Sequence, residues 1–143
     1  MSDAQTAVFT EVADDQRLEF LPRVVGRHFL AFENVVYTIA ERQVSDYQGG
    51  YWEFLQEDGG VLGYMRPAES RTWVVDTEYH SVEMSSDALG LALSVMAANQ
   101  VMWALAKDGI LPRGNEQLSN LYHSLTELAY EHSESAAISQ FLD

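Results

Sequence analysis

The chain has 143 residues, 47% hydrophobic and 11% aromatic, enough for one domain with a packed core, which excludes a wholly disordered polymer. It has no cysteine, so disulfides and thiolate metal sites are excluded and the expected compartment is the reducing cytoplasm. Its 22 acids against 8 bases give a net charge of −14, which repels phosphate backbones and argues against direct duplex binding.

Residues 1–6 are polar and expected to fray. The opening MSDAQTAVFTEV has neither a basic segment nor an apolar run, so no signal peptide is expected. Residues 7–12 (AVFTEV) have strand composition. Asp14-Asp15 are placed to cap a short helix through Phe20, which Pro22 should interrupt, and Gly26 marks a change of direction.

Asn34 reads as the N-cap of a helix over 34–46, because Val36, Ile39, Ala40, Val44 and Tyr47 follow at three- and four-residue steps. Gly49-Gly50 should end it. Four β segments are expected next, at Tyr51–Gln56, Val61–Arg66, Arg71–Asp76 and Tyr79–Met84. Their connections, Glu57-Asp58-Gly59-Gly60, Pro67–Ser70 and Thr77-Glu78, are too short for parallel crossovers and predict an antiparallel meander.

Ser85 or Ser86 should cap the next helix, with Asp87 in its first turn, Lys107 near its end and Gly109 as its stop. Ala88–Ala106 is apolar on nearly every face but broken by Gly90, Ser94, Asn99 and Gln100, so it predicts a buried central helix and not a membrane span. After a loop at Pro112–Gly114, Asn115 should cap a helix carrying Leu118, Leu121, Tyr122, Leu125, Leu128 and Ala129 on one side. A last helix begins at Ser133 or Ser135 and carries Ala137, Ile138 and Phe141. The expected fold class is α+β: one domain over residues 1–143, an antiparallel meander of three to four strands packed with four or more helices.

No catalytic pattern stands out. His28, His80, His123 and His132 show no zinc spacing, so neither a metal nor a cofactor is expected. There is no nucleophile elbow and no P-loop. Asp14-Asp15 and Glu57-Asp58 are sequence neighbours, an arrangement that suits solvation better than convergent acid–base work. Tyr47–Phe54 is unusual: on a strand Trp52 and Phe54 share the core face, leaving Tyr51 and Glu53 on the other. Arg17, Arg23 and Arg27, with His28, form a small basic patch in sequence, while the acids after Gly114 (Glu116, Glu127, Glu131, Glu134 and Asp143) have no basic neighbour.

Four blocks in this order resemble the ArdB/KlcA antirestriction family. They are Phe20-Leu21-Pro22-Arg23 with Gly26-Arg27-His28-Phe29; Tyr47-x-Gly49-Gly50-x-Trp52-Glu53-Phe54; Tyr64-Met65-x-Pro67; and Met84-Ser85-x-Asp87-Ala88-x-Gly90. Tyr130, His132, Glu134, Ala137 and Ile138 add a similar C-terminal segment. The resemblance covers residues 17–142 and implies a non-enzymatic protein of mobile elements. Such a protein protects incoming DNA from type I restriction-modification enzymes, without DNA mimicry and without known catalytic residues. The implied partner is the restriction enzyme or an associated host factor, with no membrane role. Its candidate binding residues are Arg23, Arg27, His28, Tyr47, Tyr51 and Glu53, the polar and amphipathic members of the most family-like blocks. The acidity favours an alternative, a DNA mimic occupying a DNA-binding cleft. A small hydrolase is a third reading, for which no convergent set of titratable residues is visible.

Overall fold

A computed structural model describes residues 9–58, 62–109 and 116–142. The expected fraying at 1–6, the glycines of the Gly59-Gly60 turn, the Pro112–Gly114 loop and the Asn115 cap lie outside these residues. In chain order the elements are β1 (Phe9–Glu11), a 3-10 turn (Asp14–Gln16), α1 (Arg17–Val24), α2 (Phe29–Gln43), β2 (Trp52–Glu57), β3 (Gly63–Pro67), β4 (Thr72–Asp76), β5 (Ser81–Ser85), α3 (Ser86–Lys107), α4 (Glu116–Glu131) and α5 (Ser135–Leu142). The α+β class is as the sequence predicts.

The strands form two antiparallel sheets, β1-β2-β3 and β4-β5, instead of one continuous meander. Pro67 ends β3 and has no N–H to extend a ladder. The free edge of β4 is taken by the exit of α2, where Val44 bridges Val75 and the Ser45 N–H donates to the Val74 carbonyl at 2.8 Å.

Pro22 lies inside α1 and does not interrupt it. Its missing hydrogen bond would have reached Leu18, which is exposed, while Phe20, Leu21, Val24 and Val25 are buried and hold the turns on either side. Asp14 and Asp15 cap nothing with their side chains; they sit in the 3-10 turn that leads into α1. Asn34 is not an N-cap. α2 starts at Phe29, since Phe32 extends the buried stripe of Val36, Ile39 and Ala40 back by one turn. α2 also ends before Gly49-Gly50, at Gln43, because Val44 leaves for the β4 edge.

Cross-strand register sets the faces of the first sheet. Glu53 faces Arg66 and Leu55 faces Tyr64 on one side, while Phe54 faces Met65 on the other. Phe20 of α1 stacks on Phe54 with ring centroids 4.9 Å apart, an aromatic pairing that contributes roughly 0.5–1.5 kcal/mol beyond its buried area. The opposite face receives α3. Gly90 is what lets it approach: a Cβ there would fall inside the contact radii of the Met65 carbonyl and the Arg66 backbone. Asp87, Leu91 and Ser94 recur on this face of α3 at helical spacing, and Ser94 Oγ accepts from the Met65 N–H at 3.4 Å. By length and composition alone α3 could cross a membrane, but most of it is buried among the other elements. α5 packs against α3, α4 and β5.

Candidate functional site

β5 runs directly into α3, and Ser85 at the junction is the N-cap: its Oγ accepts from the Ala88 N–H at 3.1 Å. A capping box would place Glu or Gln at position 88, where its carboxyl or amide reaches back to the cap N–H. Here position 88 is alanine, and the carboxylate comes from 49 residues downstream: the Ser85 N–H donates to Glu134 Oε1 at 2.9 Å and the Ser85 hydroxyl to Oε2. The start of α5 thus completes the cap of α3 across the fold.

Two residues into α3, Asp87 accepts from three side chains. Tyr64 Oη donates at 2.7 Å and Arg66 Nη1 at 2.5 Å, both to Oδ1; His132 Nε2 lies 2.9 Å from Oδ2. Arg66 also donates through Nε to Glu53 at 2.6 Å, as their cross-strand register allows. His132 is locked at its second nitrogen too, where Nδ1 accepts the Glu134 N–H at 2.9 Å. One continuous network therefore joins β2, β3, the N-terminus of α3 and the α4–α5 corner, and both ring nitrogens of its histidine are occupied.

The electrostatics follow from these contacts. Burial works to raise the Asp87 pKa, but the donors His132, Tyr64 and Arg66 outweigh it and hold the carboxyl down at about 2. Burial, and then the Asp87 charge, push the Tyr64 phenol well above its ordinary range, so it remains a neutral donor. Burial opposes the Arg66 charge, yet Glu53 and Asp87 reinforce it and the net shift is upward. The Asp87 contact raises the His132 pKa despite partial burial; the Glu134 N–H at Nδ1 opposes this, because an imidazolium has no lone pair there.

A stability profile follows. Asp87, held low, stabilises the fold above its ordinary value near 3.9, and this is lost as pH falls through about 2. His132, held high, stabilises most below its ordinary value near 6.5, and this fades as pH rises through its folded value. Urea midpoints of the wild type and His132→Gln between mildly acidic and mildly alkaline pH should therefore converge as pH rises. A gap that widens with pH would contradict the Asp87–His132 pairing.

Two cavities flank the Arg66–Asp87 pair and share it as a wall. The first, about 380 Å³, lies among β1, β2, β3, α3 and α4. The second, about 440 Å³, carries Arg71 with Ser70, Thr72 and Ser86. Arg71 is stacked 4.4 Å above the Trp73 ring. Among the described residues no three His, Asp or Glu side chains converge as metal ligands.

Of the residues singled out from sequence, only Glu53 enters the network. Tyr47 is half-buried and its hydroxyl accepts from Trp52 Nε1 at 3.0 Å. Tyr51 is exposed just before β2, with Arg17 stacked 4.5 Å over its ring. Trp52 and Phe54 are buried, as the alternation requires. Arg23 reaches Gln56, Arg27 is exposed in the α1–α2 turn, and His28 precedes α2 without capping it through its side chain. The basic patch is looser than its spacing suggests, because Arg17 is drawn between the rings of Tyr51 and Phe54.

Tyr64, Arg66, Asp87, His132 and Glu134 are not among the binding candidates read from sequence, although all but Arg66 fall at matching positions in the family-like blocks. The convergence of those blocks on one network is what the fold adds.

Known proteins resemble this chain over most of its length. A family model described as antirestriction protein matches residues 45–143. The putative antirestriction protein YubI of Escherichia coli K12 is 35% identical over 129 residues, spanning 89% of this chain and 86% of that one. Antirestriction protein KlcA of Escherichia coli is 34% identical across 100% of both chains. A solved structure from work on KlcA and ArdB superposes with a TM-score of 0.80 at 30% identity, covering 97% of this chain and 96% of that one. That work describes a novel fold and antirestriction activity against type I DNA restriction systems in vivo but not in vitro. The chain belongs to the antirestriction protein family.

Proposed function

We propose that this chain protects DNA from type I restriction inside the cell by binding protein, either the restriction enzyme or a host factor associated with it. The observation that carries this reading is the likeness over nearly the whole chain to the KlcA and ArdB work, whose activity was seen in vivo but not in vitro. A need for the living cell suits a target or factor that a purified assay lacks.

The site geometry supports binding over chemistry. A general base needs a nitrogen or oxygen free to take a proton from a substrate. His132 has both nitrogens engaged, and Asp87 already accepts from three donors. The second reading, DNA mimicry, is favoured by the net charge of −14. Against it, Glu53, Asp87 and Glu134 are turned onto the chain's own donors and are not displayed in rows like phosphates. The surface we assign to partner binding contains Arg23, Arg27, His28, Tyr47, Tyr51 and Glu53, of which Arg23, Arg27 and Tyr51 are exposed.

The test is plating of unmodified phage on cells carrying a type I system. Expression of the wild type should raise plating toward that of modified phage, and no rise would sink the proposal. Arg27→Glu should lower protection at unchanged melting temperature. Glu116→Gln with Glu127→Gln should leave protection unchanged; its loss would favour mimicry.

A further inference from the structure

We infer that the cavity bounded by β1, β2, β3, α3 and α4 is a receptor for a lysine or arginine side chain of a protein partner. Phe9, Leu55, Leu91 and Leu128 give it an apolar side, Tyr64, Arg66, Asp87 and His132 a polar one, and its volume is about 380 Å³. That is near the small end of the roughly 300–1,000 Å³ of small-molecule sites, suited to one long side chain more than to a nucleotide. Glu11 and Glu131 line it and are exposed, so they stand at its rim.

Charge decides the occupant. Arg66 and His132 also line the cavity, but Asp87 and Glu53 already meet them. Glu11 and Glu131 make no ion pair among the described residues. The uncompensated charge is therefore negative, at the mouth of a hollow with one apolar side. Lysine and arginine match this, with an apolar stem to bury and a cation to leave at the rim. Phosphates and acidic peptides are repelled by the same rim and by the net charge of −14. The inference rests on the reading of this chain as a protein-binding protein and names the chemistry its partner would offer.

The cavity is tested with the full chain, isotopically labelled, titrated with butylguanidinium and, at equal ionic strength, with guanidinium alone. Butylguanidinium should shift amides around Phe9, Leu55, Leu91 and Leu128 in a saturable way. Guanidinium alone should bind at least about tenfold more weakly, lacking the buried stem. Glu11→Gln with Glu131→Gln should weaken butylguanidinium roughly fivefold, the scale of two exposed charges, at unchanged melting temperature. Shifts scattered over the whole acidic surface, or an affinity unchanged in the double variant, would overturn the cavity. In the phage assay the double variant should protect less than the wild type. Full protection by the folded double variant, with butylguanidinium binding weakened as expected, would overturn the partner assignment. If the wild type itself gives no protection, the antirestriction reading fails while the titration still judges the cavity.

Discussion

Replacing Gly90 with alanine should destabilise this protein by ~3 kcal/mol, the upper end of what overpacking usually costs. The expectation reverses the ordinary rule, since Gly→Ala inside a helix normally stabilises by roughly 0.5–1 kcal/mol. The reversal comes from what the methyl group would meet. Its neighbours are the Met65 carbonyl and the Arg66 backbone, atoms of a strand paired along its length with β2 and unable to swing aside like the end of a flexible side chain. α3 would have to lift off β3, and Asp87 would move with it, away from Tyr64 and Arg66. For a chain of this size the melting temperature should drop by about 10 °C, with protection in the phage assay falling in parallel. A Gly90→Ala protein that melts at or above the wild-type temperature would show that the helix does not sit this close to the strand.

Asp87→Ala is expected to have the second largest effect. Tyr64, Arg66 and His132 all lose their acceptor at once. Breaking a fully buried charged pair typically costs about 3–5 kcal/mol, because the surviving partner is left uncompensated. Here Asp87 and Arg66 keep 31% and 30% of their side-chain surface in water, which screens part of that, so a loss of ~2–3 kcal/mol is expected. Tyr64→Phe, which removes a single donor, should cost about 1 kcal/mol. The two differ further at His132: without Asp87 its pKa should fall, whereas without the Tyr64 hydroxyl the His132 contact remains. Urea denaturation gives the stabilities, and histidine ring resonances followed against pH give the titration. Equal effects of Asp87→Ala and Tyr64→Phe would mean that Asp87 is not the hub of the network.

The parts of the fold legible in the sequence are those whose signals are local. β2, β4 and α3 could be placed within a residue or two because alternation, turn residues and the Ser85 cap act over a few positions. The start of α2 is not legible locally, because Asn34 offers a good cap that the buried Phe32 overrides. The split between the sheets was hidden, since nothing in β4 announces that Val44 and Ser45 will take its edge. The site was the least legible part. Glu53, Arg66, Asp87 and His132 sit on four separate segments, and no spacing rule links them. Resemblance marked most of these positions without saying why they go together. Arg66, which fell at an unmatched position, shows the limit: its role depends on cross-strand register with Glu53 and on the closeness of α3 that Gly90 permits.

The cap of α3 has a consequence for how the molecule is made. Its carboxylate arrives 49 residues after the serine it serves. Synthesis proceeds from the N-terminus at about 5–20 residues per second, so Ser85 joins the chain seconds before Glu134 exists to complete the first turn of α3. The Asp87 network must likewise wait for His132, in the same late segment. Closing so long a loop is entropically slow to repay, which places this corner among the last contacts to form. A chain cut short within α4 would lack both Glu134 and His132, leaving the first turn of α3 and the Asp87 network open together.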